Sequence, residues 1–345
     1  MVKTPTSILL IYTGGTIGMV QDPENGSLMP MDFENILVQL PELKRLDCCI
    51  TALSFDPIID SSNMTIDTWI KIAELIYKNY NAFDGFVILH GTDTMSFTAS
   101  ALSFMLDDLQ KPVILTGAQL PLGMLRTDGK ENIITAIEIA SAKLNGKAIV
   151  PEVCIYFENN LFRGNRTTKH YSEKFNAFKS HHYPALAEIG VNINYNTQFI
   201  HQIDEPLPLK LSTTMDNRIA LVKIFPGMKN FINSVLESKE LKAVVIETYG
   251  TGNAPTHNWF LDSIESAIKR GILIVNVSQC PGGRVEMGKY ETSLDMLNKG
   301  VLNGYDITTE AALTKLMYLL GRYDDLEEVK YWIPRSIRGE LSMSC

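Results

Sequence analysis

Seven short stretches gather the small and polar side chains of this chain: TGGTIG (13–18), DSSNM (60–64), HGTDT (90–94), TGAQ (116–119), RGNRTTK (163–169), YGTGNAP (249–255) and SQCPGG (278–283). Glycine lets backbone N–H groups approach a ligand closely. Hydroxyl, carboxylate and ammonium groups beside such glycines are the materials of nucleophilic and acid–base chemistry. Each stretch also has a plainer reading. TGGTIG is a tight turn as readily as a site; it is not the GxGxxG of dinucleotide binding, and no GxxxxGK(S/T) phosphate loop occurs. His90 reads as a hydrogen-bonded core histidine, and Asp93 and Thr94 as caps of a following helix. Arg163, Arg166 and Lys169 read as a solvated basic loop. The chain has no HExxH, no Cys/His ligand cluster and no GxSxG elbow. With 6 histidines, a serine triad has few candidates for its base. Threonine chemistry with a lysine base needs no histidine. A lysine acts as base when burial or a neighbouring cation depresses its pKa, and an adjacent carboxylate orients it.

The stretches sit just after predicted strands. Ile8–Tyr12 is a short run rich in isoleucine and leucine, closed by Gly14-Gly15, and predicts a buried strand. Phe86–Leu89, Pro112–Leu115 and Val153–Phe157 predict further strands. Ile66, Trp69, Ile70, Ala73, Ile76, Tyr77 and Tyr80 fall at helical spacing. Helices are also expected through Ser100–Leu106 and over Asn132–Leu144. Strands alternating with helices imply parallel βαβ units, and in open parallel sheets ligands bind outside the carboxyl ends of the strands. Several such loops together point to one composite pocket.

From about Asn192 to Asn217 this rhythm breaks, with INYNTQ, DEPLPLK and STTMDN and with Pro206 and Pro208. Beyond it come Ile219–Ile224, Ala243–Thr248, a helix near Trp259–Lys269, Ile272–Val277 and a helix near Glu310–Leu320. The expectation is an α/β protein of two α/β domains: a larger N-terminal domain (1–195) with a mainly parallel sheet, a linker (196–217) and a smaller C-terminal parallel-sheet domain (218–345).

Composition narrows the function classes. The 345 residues are 45% hydrophobic and 20% charged, which excludes a disordered chain. A net charge of -8 with no block of Lys or Arg argues against nucleic acid or an anionic membrane as partner. Five cysteines (Cys48, Cys49, Cys154, Cys280, Cys345), irregularly spaced and without a CxxC pair, read as free thiols in a reducing compartment. The N-terminal apolar run is too short for a signal peptide and no stretch is long enough for a membrane span, so the expected setting is the cytoplasm.

YTGGTIG, DSSNMT, DGFVILHGTDTMSFTASALSFML, RGNRTTK, YGTGNAP and the final RGE together resemble the type I, cytoplasmic L-asparaginases, in that family's order and over essentially the whole chain. The resemblance implies hydrolysis of L-asparagine to L-aspartate and ammonia, with no cofactor and no metal, by a homotetramer built from intimate dimers. It implies Thr16 as first nucleophile, Thr92, Asp93 and Lys169 as a second catalytic set, and Asp60, Ser61, Ser62, Thr92 and Asp93 as the substrate-binding residues. The residues alone leave open whether Thr16 or Thr92 makes the covalent bond.

Two departures from the family pattern stand out. A tyrosine often follows the first loop in the family, and here its position falls on Leu28 or Ser27. Some cytoplasmic members also carry an allosteric asparagine site. Its matching positions here are Thr168, Glu247 and Cys280, with glutamate where the family has arginine. A carboxylate there repels an effector's carboxylate, which implies a degenerate effector site; the plainer reading of Glu247 is a local salt-bridge partner. The competing functions are a glutamine amidohydrolase, the amidase subunit of a tRNA-dependent amidotransferase, a non-catalytic amino-acid sensor and a nucleotide-binding oxidoreductase. The amidotransferase subunit usually has an N-terminal extension, for which a first motif at Thr13 leaves no room. The absent fingerprint disfavours the oxidoreductase. A sensor would have little need for both threonines and the lysine. Glutamine differs from asparagine by one methylene, so minor glutaminase activity is also expected.

Overall fold

Every side chain from Ile8 to Tyr12 is buried, as a strand covered on both faces requires. It forms β1 (Thr6–Tyr12). The structure is a computed structural model that describes residues 5–21, 28–30, 40–203, 205–228, 231–289 and 291–342. Two units divide the chain, Met1–Thr213 and Thr214–Cys345. Among the described residues no helix is long and apolar enough to cross a membrane.

The first unit is built on an eight-stranded sheet. After β1 it contains β2 (Cys48–Ser54), β3 (Gly85–Leu89), β4 (Val113–Thr116) and β5 (Val153–Phe157). Three more strands follow, β6 (Asn160–Arg163), β7 (Ala187–Ile189) and β8 (Ile193–Tyr195). The spatial order is β8-β7-β6-β5-β4-β3-β1-β2. The five strands from β2 to β5 pair in parallel, and the three beyond β5 are antiparallel. Parallel pairing carries all four loops after β1, β2, β3 and β4 to the same sheet end, so TGGTIG, DSSNM, HGTDT and TGAQ gather there.

Helices cover this sheet. α1 (Ile66–Asn79) starts where the Thr65 side chain accepts the Thr68 N–H, and buries Trp69, Ile72, Ala73 and Ile76. α2 (Met95–Met105) is buried on nearly every side, which explains its run of small and apolar residues. α3 (Gly129–Ser141) ends three residues before the expected Leu144. Lys143–Leu144 instead pairs with Lys147–Ala148 across Asn145-Gly146, whose φ values of 53° and 80° make a tight hairpin turn. From Asn196 to Thr213 the chain stays on this unit: Arg163 donates to the Phe199 carbonyl, and Lys210–Leu211 pairs with Leu106–Asp107.

The second unit has a four-stranded sheet, parallel throughout, of β9 (Ile219–Lys223), β10 (Ala243–Thr248), β11 (Leu273–Ser278) and β12 (Leu302–Asn303). Its core packs Val244, Ile246 and Ile274 against Phe260 and Ile264 of α4 (Asn258–Lys269). The buried Lys315 of α5 (Thr309–Arg322) pairs with buried Glu340 and donates to the Ile333 carbonyl, and so ties the closing RGE segment to the helix. Cys48, Cys49, Cys154 and Cys280 are free thiols, and Cys345 lies outside the described residues.

Candidate active site

The loop after β1 cannot be built without its glycines. Gly14 and Gly15 adopt φ of 138° and 91°. A Cβ on Gly14 would lie 2.0 Å from the Ile59 carbonyl oxygen, and one on Gly15 would lie 2.5 Å from the Gly91 Cα. Close approach of backbones therefore fixes the TGGT loop against the two neighbouring loops. Thr13 reinforces the seam, since its N–H and hydroxyl both donate to the Leu89 carbonyl at 3.0 Å. Thr16 then opens a short 3-10 turn, Thr16–Gly18. The buried Tyr12 hydroxyl donates to the Gly15 carbonyl at 3.3 Å, and its ring lies beneath Gly18. Burial raises the Tyr12 phenol to about 12, so it stays protonated. Leu28, one position of the family tyrosine, pairs with Gln21 in a two-stranded ribbon, and Ser27 lies outside the described residues.

The DSSN loop is its own small unit. Asp60 accepts the Ser62 N–H and hydroxyl, both at 2.8 Å, which lowers its pKa and holds it ionised. Ser61 is buried against Gly91, where a Cβ would lie 2.5 Å from the Ser61 Oγ. Thr94 donates to the Ser61 carbonyl at 2.6 Å. Neither Asp93 nor Thr94 caps α2 with its side chain.

His90 is the core histidine of the plainer reading. It is fully buried, and its Nδ1 lies 2.6 Å from the Gly91 carbonyl oxygen. That oxygen only accepts, so Nδ1 carries the proton and Nε2 accepts from Thr98, 2.9 Å away. Thr98 in turn accepts the Trp69 indole N–H at 3.0 Å. Burial lowers the imidazole from 6.5 to about 4. Both ring nitrogens are engaged, so His90 braces the backbone before Thr92. The sequence reading missed Thr98 and Trp69. The signal available was the need of a buried indole N–H for a partner.

The basic stretch splits in two. Arg163 and Arg166 are buried rather than solvated. Arg163 grips Glu152 through two bonds, and both guanidiniums lie over the Tyr183 ring. Lys169 alone enters the polar cluster. Its Nζ lies 2.8 Å from the Thr92 Oγ1 and 2.7 Å from the Asp93 Oδ1. The Lys169 side chain is 17% exposed and Asp93 is 67% exposed. The amine is thus recessed and the carboxylate stands at the mouth. Gln119 of the TGAQ loop donates to the Ser172 and Lys174 carbonyls and fastens the segment after Lys169.

In the second unit, the YGTGNAP and SQCPGG loops are joined to each other. Ser278 donates to the Gly250 carbonyl at 2.6 Å, and Gln279 donates to the Glu247 carbonyl at 2.8 Å. The buried Asn276, absent from the sequence reading, accepts from Thr248 and donates to the Gly252 carbonyl. Glu247 accepts the Thr309 hydroxyl at 2.7 Å and lies 3.4 Å from Lys223. Cys280 is exposed, and Thr168 lies in the first unit, in the short strand that carries Lys169. Among the described residues no group of three or more His, Cys, Asp or Glu is placed to hold a metal.

A recessed amine touching a hydroxyl and a carboxylate, beside glycine loops at the carboxyl ends of parallel strands, is equipped for acyl transfer and hydrolysis. Comparison with known proteins narrows that class. The asparaginase N-terminal family model matches residues 7–201, and the glutaminase/asparaginase C-terminal domain model matches residues 218–333. The chain belongs to the asparaginase family and is an amidohydrolase. L-asparaginase 1 of Escherichia coli (strain K12) is 41% identical over 338 residues, which is 97% of this chain and 98% of that one. The 60 kDa lysophospholipase of Mus musculus is 38% identical over 97% of this chain and 62% of its own length. The crystal structure of L-asparaginase I from Vibrio cholerae matches with a TM-score of 0.89 at 40% identity, over 99% of this chain and 100% of that one.

Proposed function

We propose that the chain hydrolyses L-asparagine to L-aspartate and ammonia, with Thr16 as nucleophile and Thr92, Asp93 and Lys169 as the set that activates water. One observation carries the reading: a single amine reaches both Thr92 and Asp93, beside the loop that holds Thr16. Asp93, and Asp60 as oriented by Ser62, offer carboxylates to the substrate's α-ammonium. Ser61 and neighbouring backbone N–H groups suit its α-carboxylate.

The Thr16 hydroxyl oxygen attacks the side-chain amide carbon. N–H groups of the glycine loops, with Thr92, stabilise the oxyanion; one such donor is worth roughly 100- to 1000-fold in rate. The C–N bond then breaks and the threonine proton leaves with ammonia, giving a β-aspartyl ester. Water adds to the ester as the Thr92–Lys169 pair takes its proton. Thr16 recovers a proton and L-aspartate departs. No cofactor enters this sequence. The same reading makes the enzyme a cytoplasmic homotetramer of intimate dimers, and light scattering on the purified chain measures its subunit number.

Ammonia release from L-asparagine and L-glutamine at equal enzyme tests the substrate. One methylene is worth about 1–3 kcal/mol, so asparagine should lead by roughly 10- to 200-fold in kcat/KM. A higher kcat/KM on glutamine would make the chain a glutaminase.

A further inference from the structure

The far end of the main sheet, away from the catalytic loops, carries a pocket of about 390 Å³. Lys111, Lys143 and Lys147 line it with His201, and among the described residues Asp84 is the one carboxylate of its lining. Six residue steps at about 3.3 Å, or roughly 20 Å, separate Asp84 at the start of β3 from His90 at its end. The pocket is thus distinct from the site already described. Its size lies within the range of small-molecule sites.

The charges do not cancel. Asp84 pairs with Lys143 at 3.0 Å and also accepts the Ser7 N–H at 2.9 Å. Lys147 has no ion-pair or hydrogen-bond partner for its ammonium among the described residues. Lys111 is partly buried over the Tyr80 ring, 4.6 Å from its centroid, and donates to the Tyr80 and Phe83 carbonyls. Two of its three N–H donors are spent, and no carboxylate forms a salt bridge with it among the described residues. Desolvation lowers the Lys111 pKa, Asp84 raises it, and Lys143 lowers it again. Among the described lining residues the lysines outnumber the carboxylate by two, which is out of keeping with a chain whose net charge is -8. The Asn145-Gly146 turn holds Lys143 and Lys147 on one hairpin. Ile149 and Pro151 add apolar lining.

We propose that this pocket binds a small organic phosphate monoester, its dianion met by Lys111, Lys143 and Lys147 and its carbon body lying on the apolar lining. Lysine ammoniums act as point charges suited to phosphate, whereas a carboxylate ligand is best held by the planar fork of arginine, which the pocket lacks.

Calorimetry with the full chain tests the assignment, using ribose 5-phosphate, inorganic phosphate and succinate as probes. Ribose 5-phosphate should bind with a Kd of about 1 mM or tighter, and salt should weaken it. Inorganic phosphate should bind more weakly, for want of the carbon body. Lys147→Ala removes an exposed charge that holds no other group in place. It should weaken ribose 5-phosphate binding by about tenfold while leaving amide hydrolysis unchanged. Thr16→Ala should bind the sugar phosphate as wild type does. Absence of saturable binding, or equal affinity in wild type and Lys147→Ala, would overturn the proposal. Succinate binding as tightly as ribose 5-phosphate would overturn the phosphate assignment.

Discussion

The Lys169 Nζ lies 2.8 Å from the hydroxyl oxygen of Thr92, and the two residues are 77 positions apart in the chain. The contact places a recessed amine on a hydroxyl at the carboxyl end of β3. Lys169→Met keeps the aliphatic stem and removes the nitrogen. Its kcat should fall by about 100- to 10,000-fold with the fold intact by circular dichroism. Lys169→Arg should not restore activity, because a guanidinium keeps its proton.

Division of labour between the two threonines predicts a trapped intermediate. Thr92→Ala should slow hydrolysis of the ester more than its formation. Acid quenching followed by peptide mass spectrometry should then find an aspartyl adduct on Thr16. An adduct on Thr92 in the Thr16→Ala variant, formed at wild-type rate, would reverse the assignment.

His90 predicts an acid limb to the stability curve. Its pKa is about 4 when folded and 6.5 as an ordinary imidazole. The unfolded chain therefore binds the extra proton between those values. The neutral, buried histidine contributes fully above pH 6.5, and its contribution is lost as pH falls towards 4. The size is about 3 kcal/mol. Thermal unfolding of His90→Gln should show a lower Tm at pH 7 and a shallower loss from pH 6.5 to 4.

Glu247 predicts a simple saturation curve. Its carboxylate is held by Thr309 and Lys223, and the resemblance implies that this position carries the cation of an effector site in some relatives. Asparagine should give hyperbolic kinetics, and Thr168→Ala should leave the curve's shape unchanged. A sigmoidal curve abolished by Thr168→Ala would contradict this.

Sequence patterns expose these features unequally. β1 and β3 were legible because burial on both faces makes a continuous apolar run, and α1 because one buried stripe repeats at helical spacing. β2 was not, since CCITALS lies at the sheet edge with only alternate side chains half-buried. The end of α3 was misplaced because the apolar pattern ran past Ser141, although Asn145-Gly146 carried the hairpin signal. At the site, the motifs brought Thr16, Thr92, Asp93 and Lys169 forward. The brace from Trp69 through Thr98 to His90 was hidden because its members sit on two helices and a loop, and no local spacing links them. Arg163 looked solvated because nothing near it in the sequence announces Glu152 as its buried partner.

The central claim is that Thr16 is the nucleophile of an asparagine amidohydrolase. Ammonia release from L-asparagine by wild type and Thr16→Ala, measured side by side on folded protein, tests it most directly. Saturable release by wild type that falls by at least about a thousandfold in the variant is the predicted result. Turnover by Thr16→Ala within about tenfold of wild type, or none by folded wild type that still binds asparagine, would contradict it.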